Sequence, residues 1–130
     1  MNRLGRPKEA LERLEKASSM GYKGPGLAFD TGWALLGLRR WIDAIVQLEN
    51  FEKAVPGRGK TSEYLGRAYL GLREYDKAES KLQEAIQRDP QLKPTALLYM
   101  AALEVERNNP AAARRYLEAL VRETPESPIA

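Results

Sequence analysis

Residues 59–92 read GKTSEYLGRAYLGLREYDKAESKLQEAIQRDPQL and hold two helical patterns with a short break between them. In the first, Leu65, Ala68, Tyr69 and Leu72 recur at helical spacing; in the second, Ala78, Leu82, Ala85 and Ile86 share one face. Lys77, Glu79, Lys81, Gln83 and Glu84 take the remaining positions of the second pattern and form a solvated surface. Asp89-Pro90 ends it, because proline disfavours helical geometry in the residue before it. Gly66 and Ala68, with Ala78 and Ala85, let the two backbones approach closely, while Leu65, Tyr69 and Leu82 fill the gaps on either side. The stretch predicts a tight helical hairpin.

The same register runs along the chain. Ala10, Ala44, Ala78 and Ala112 fall 34 residues apart, followed four residues later by Leu14, Leu48, Leu82 and Tyr116. The same ruler relates Gly32 to Gly66, Ala34 to Ala68 and Ala102, Leu35 to Tyr69 and Leu103, and Pro56 to Pro90. A fixed period of this length is the signature of a repeat architecture, in which one hairpin cannot bury its apolar face alone and neighbours stack to complete the core.

Residues 59–92 resemble a tetratricopeptide repeat: Leu65-Gly66, Ala68-Tyr69, Ala78, Leu82, Ala85 and Pro90 occupy that family's signature positions. Residues 25–58 match through Gly32, Ala34, Leu35, Ala44, Leu48 and Pro56, with Phe51 where a small residue is usual. In residues 93–126 Met100 replaces the glycine, and Thr124-Pro125 shifts the proline by one. Residues 1–24 look like the second half of a copy, and residues 127–130 form a short tail. The resemblance implies an all-α, right-handed superhelical solenoid in a single domain. The expected helices are 7–19, 26–38, 41–54, 60–72, 75–88, 94–107 and 110–123, with a concave surface lined by the first helix of each pair.

Composition narrows the function. The 130 residues include no cysteine and no histidine, which removes disulfides, thiolate sites and the imidazole used by most neutral-pH acid–base schemes and transition-metal sites. No carboxylate or lysine pair stands out as catalytic, so no enzyme activity, small-molecule substrate or cofactor is expected. The net charge of +3 sits wholly in residues 1–24, where six basic residues meet three acidic ones; each later repeat is neutral. Binding to nucleic acid needs a sustained basic stripe and is not expected. No apolar run approaches the roughly 20 residues that span a bilayer, and the N-terminus lacks a run of signal-peptide length. Membrane insertion is therefore not expected, and the cytoplasm is the default compartment.

One motif imitates a nucleotide site. Ala54-Val55-Pro56-Gly57-Arg58-Gly59-Lys60-Thr61 approximates a phosphate-binding loop. Its leading glycine is replaced by Ala54, a helix rather than a strand precedes it, and Pro56 removes an amide donor. It reads as a Pro-Gly turn between repeats.

The family's usual inner positions, carried over residue by residue, imply a partner-binding face of Phe29, Trp33 and Leu36, then Glu63, Arg67 and Leu70, then Leu97, Ala101 and Glu104. An aromatic pair beside an arginine suits a binding hot spot, and the expected occupant is a peptide or helix of another protein. Among these positions only Arg67 has a charge suited to clamping a C-terminal carboxylate, so an apolar segment with one anionic contact fits better. Arg39, Arg73 and Arg107 recur near the ends of the first helices, where a cation complements the helix dipole. The second expectation concerns the ends. The chain opens in mid-repeat and stops at Ala130 without a polar capping helix, as a fragment would. Ala113, Tyr116, Leu117, Leu120 and Val121 then form an apolar surface for another domain or another copy, a homo-oligomer.

Overall fold

A computed structural model describes residues 6–22 and 24–123. The described residues form α1 (Pro7–Ser19), α2 (Pro25–Gly37), α3 (Trp41–Ala54), α4 (Gly59–Gly71), α5 (Tyr75–Arg88), a 3-10 turn (Pro90–Leu92), α6 (Lys93–Glu106) and α7 (Pro110–Glu123). The expected boundaries of α1, α3, α5 and α7 hold to the residue, while α2, α4 and α6 begin and end one residue earlier. Pro7, Pro25 and Pro110 open their helices where the missing N–H would have no partner. The expected tail at 127–130, and the end of the chain to which the capping argument referred, lie outside the described residues.

Hairpins α2–α3, α4–α5 and α6–α7 stack in chain order, with α1 packed on α2. The first helices α2, α4 and α6 touch one another along the inner surface. Gly32 and Gly66 make the hairpins tight, for a Cβ on either would stand 2.8 Å from Leu48 Cγ or Leu82 Cγ. Leu48 and Leu82 are fully buried there. One core cluster gathers Leu11, Ala34, Leu35, Leu36, Ala44, Leu48, Leu65 and Ala68, and a second gathers Leu82, Ala96, Leu97 and Met100.

The third hairpin departs from the 34-residue ruler. The amides of Ala44 and Ala78 donate to the carbonyls of Arg40 and Glu74, and the amide that makes the corresponding bond, to Asn109, belongs to Ala113 rather than Ala112. Likewise Ala34, Ala68 and Leu103 are fully buried while Ala102 is exposed. The turns agree: Arg39, Arg73 and Asn108 adopt left-handed φ of 62°, 63° and 66°, so Arg107 stands one residue ahead of the arginines it was aligned with. In each turn the next amide reaches back five residues, Arg40 to Leu35, Glu74 to Tyr69 and Asn109 to Glu104, closing the helix end. The last hairpin is thus set 35 residues after its predecessor, and the extra residue is taken up around the 3-10 turn. That turn is braced by Asp89, which accepts from the Gln91 amide at 3.1 Å, and it lodges Leu92 against Gly59.

Candidate binding surface

Side chains from the three first helices meet on the inner surface in one line. Phe29 of α2 packs its ring 4.9 Å from that of Phe51 and 5.2 Å from that of Tyr64, stacked on the latter at 18°. The Arg67 guanidinium then lies 5.4 Å from the Tyr64 ring and 5.0 Å from the Tyr99 ring, so it is held between α4 and α6 by two aromatic faces. The Lys60 Nζ lies 5.8 Å from the centre of the Tyr64 ring. The resulting ladder, Phe51–Phe29–Tyr64–Arg67–Tyr99, crosses every hairpin.

Two clefts flank it. One, of about 440 Å³, is lined by Phe29, Phe51, Arg58, Gly59, Lys60, Tyr64 and Asp89. The other, of about 400 Å³, is lined by Leu36, Trp41, Leu70, Gly71 and Tyr99 with Arg39, Arg67, Arg73 and Glu106. Arg58, Lys60, Arg67, Arg39 and Arg73 give the clefts a cationic lining. Glu63, beside them, is buried, and this burial holds its carboxyl above the usual range against the opposing pull of Lys60 and Arg67.

The anticipated face is assembled only in part. Phe29, Trp33, Arg67 and Leu70 are half-buried, with Phe29 and Trp33 resting against the first core cluster. Leu36 and Glu63 border the surface but are themselves buried. Leu97, Ala101 and Glu104 are 5%, 4% and 4% exposed, so they do not face a partner. Each lies one residue short of the inner face because of the 35-residue step. The inner positions of α6 are Leu98, Ala102 and Val105, of which Leu98 and Val105 are 51% and 64% exposed. Tyr64 and Tyr99 also escaped the sequence reading. Two signals pointed to the step: with 35 residues in place of 34, Ala101 takes the place of Gly66, and Pro125 that of Pro90.

At the end of the array, the expected apolar surface is divided. Ala113 is buried, Tyr116 is half-buried and donates to Glu79 at 3.3 Å, and Leu120 packs on the second core cluster; Leu117 and Val121 are exposed. The phosphate-loop imitation is a turn. Gly57, at φ 91°, donates its amide to the Glu52 carboxylate, an anion already occupying the place a phosphate would need. A further cleft, of about 570 Å³, lies apart from the ladder between α1, α2 and α3. Ser18, Gly24 and Ala28 line it, at the places that Glu52, Arg58 and Ser62 take one repeat on, where Arg88 donates to the Glu52 carboxylate, the Arg58 carbonyl and the Ser62 hydroxyl. Among the described residues no acidic cluster could hold a metal ion, and no helix is long and apolar enough to cross a membrane.

Two family models, each described as tetratricopeptide repeat, match residues 29–93 and 69–130. No curated protein matches the sequence. Among solved structures, MamA 41-end from Desulfovibrio magneticus RS-1 superposes with a TM-score of 0.81 at 19% identity, covering 96% of this chain and 70% of that one. A MamA RS-1 double mutant gives 0.79 at 19% identity, over 98% of this chain and 71% of that one. A further crystal structure of MamA gives 0.75 at 18% identity, over 96% of this chain and 76% of that one.

Proposed function

Since the chain belongs to the tetratricopeptide-repeat family, whose members are protein–protein interaction scaffolds and typically non-enzymatic, we propose that its concave surface holds a segment of a partner protein, helical or extended, bearing an apolar side chain and a carboxylate. The observation that carries this reading is the aromatic–arginine ladder, continuous over α2, α4 and α6. Its mutually packed rings offer rigid apolar area at small entropic cost, and Arg67, pinned between two rings, presents a pre-oriented cation. The flanking arginines and Lys60 attract an acidic segment and set its direction along the groove.

Selection from a random peptide library displayed on phage, followed by titration of an enriched peptide, tests the proposal. Enriched sequences are expected to combine an aromatic or aliphatic residue with Asp or Glu. Arg67→Gln and Lys60→Gln are expected to weaken binding about tenfold each without changing the circular dichroism. Phe29 and Trp33 are unsuitable probes, because they rest against the core and their removal would loosen the fold. Peptides lacking acidic residues, or binding that ignores both substitutions, would overturn the assignment.

A further inference from the structure

We propose that the cleft at the ends of α2 and α4 is a phosphoryl-binding subsite of the groove, shaped for a phosphotyrosine side chain of the partner segment. This subsite presupposes that the groove holds the partner. Three arginines line the cleft: Arg39 from the α2–α3 turn, Arg67 from α4 and Arg73 from the α4–α5 turn. Arg40, Arg88 and Arg107 each pair with a carboxylate, whereas none of these three has an ion pair or a side-chain hydrogen bond among the described residues. Arg67 is held by aromatic rings, so its N–H donors remain unused. Glu63 pulls on Arg67 without pairing with it, and burial disfavours the charge of that carboxyl. Glu106 also lines the cleft, but its carboxylate accepts from the Tyr75 hydroxyl at 3.4 Å rather than from an arginine.

Arg39 and Arg73 occupy the left-handed positions of their turns, at φ 62° and 63°, where glycine or asparagine is least strained. The third turn has Asn108 at that place. Two turns thus carry a strained arginine that no ion pair among the described residues offsets, and both side chains reach one cleft. The helix-end carbonyls that would repel an anion are already engaged: those of Leu35 and Leu36 accept from the amides of Arg40 and Arg39, and those of Tyr69 and Leu70 from the amides of Glu74 and Arg73. Three guanidinium forks against the Glu106 carboxylate leave two positive charges. Their complement is a phosphoryl dianion, which carries about −1.5 to −2 at pH 7, whereas a carboxylate occupies only one fork. The walls suit an aromatic ring. Leu36 and Leu70 are apolar, and the Trp41 indole rests on Gly71, where a Cβ would collide with it. The volume of about 400 Å³ is more than a bare phosphate fills and lies within the range of small-ligand clefts, about 300–1,000 Å³.

Phenyl phosphate, standing in for the phosphotyrosine side chain, tests this when titrated into the native chain and followed by NMR of the tryptophan indole and arginine Nε–H signals. The signals of Trp41, Arg39 and Arg73 are expected to shift together. Inorganic phosphate, which lacks the ring, and benzoate, which has a single charge, are each expected to bind at least about tenfold more weakly. Arg39→Gly and Arg73→Gly are each expected to weaken phenyl phosphate about tenfold; glycine suits the left-handed turn, so the circular dichroism is expected to stay unchanged. Lys60→Gln, in the other cleft, is expected to leave phenyl phosphate within about twofold while weakening the acidic peptides. Acidic peptides that bind through Lys60, with phenyl phosphate shifting none of these signals, would sink the subsite and leave the groove reading standing. Phenyl phosphate held by Arg39 and Arg73 with no acidic peptide recovered would do the reverse. Binding indifferent to both arginines would also overturn the subsite. Inorganic phosphate as tight as phenyl phosphate would overturn it in favour of the free ion, and benzoate as tight in favour of a carboxylate.

Discussion

A methyl group added to Gly66 would stand 2.8 Å from Leu82 Cγ and 3.3 Å from the Ala78 carbonyl oxygen. Leu82 is fully buried and has nowhere to go. Gly66→Ala is therefore expected to lower stability by about 1–2 kcal/mol, the overpacking outweighing the roughly 1 kcal/mol that alanine gains in helix propensity. Urea denaturation should show a lower midpoint at unchanged slope; an unchanged midpoint would mean that the hairpin parts to admit the methyl. This contact was legible from residue types alone, because small residues facing each other at helical spacing leave few other packings. The third hairpin relaxes the requirement: Ala101 stands in the glycine's place, opposite a Leu117 that has open space beside it.

Between elements, the strongest polar tie is Arg88, whose guanidinium donates to both Glu52 oxygens at 2.9 and 3.0 Å, to the Arg58 carbonyl and to Ser62. It fastens α5 to α3 and α4. That hydrogen bonding is the main reason the Glu52 carboxyl lies below its ordinary range, against the upward effect of burial. A depressed folded value means that the stabilisation is present above the unfolded value, about 4.3, and is lost as the pH falls through the folded one. Glu52→Gln is thus expected to cost about 1 kcal/mol at pH 7 and to lose most of that difference near pH 3. Urea titrations at the two pH values check it, and a cost that persists in acid would place its origin in packing. Helix limits were legible at this scale to within one residue, since proline, turn residues and apolar periodicity act locally. The one-residue step before α6 was not, because an insertion leaves the composition of α6 unchanged while turning its sequence by about 100° relative to the groove.

Across the whole molecule stability is distributed as in a stack, each hairpin held by its neighbours. The centre, α4 and α5, has packed helices on both sides, whereas α1 rests on α2 and buries only Leu11 fully enough to count as core. Hydrogen exchange is expected to be fastest in α1 and slowest in α4 and α5, with α7 between them. Uniform protection across all helices would instead show one cooperative unit.

The repeat, its helical hairpins and the pairing of small with large residues were determined by the amino-acid sequence alone, because each depends on spacing within some tens of residues. Tertiary structure alone decided which side chains are brought together on the inner surface. The ladder joins Phe29, Tyr64, Arg67 and Tyr99 from three helices, and no spacing rule states how far apart separate helices will stand. It also decided that Leu98, Ala102 and Val105, rather than Leu97, Ala101 and Glu104, face outward from α6. Burial along the second helices was decided in the same way: Leu82 and Leu117 are the same residue type at the same place in a helix, yet α6 packs over Leu82 and buries it fully, while Leu117 is 43% exposed.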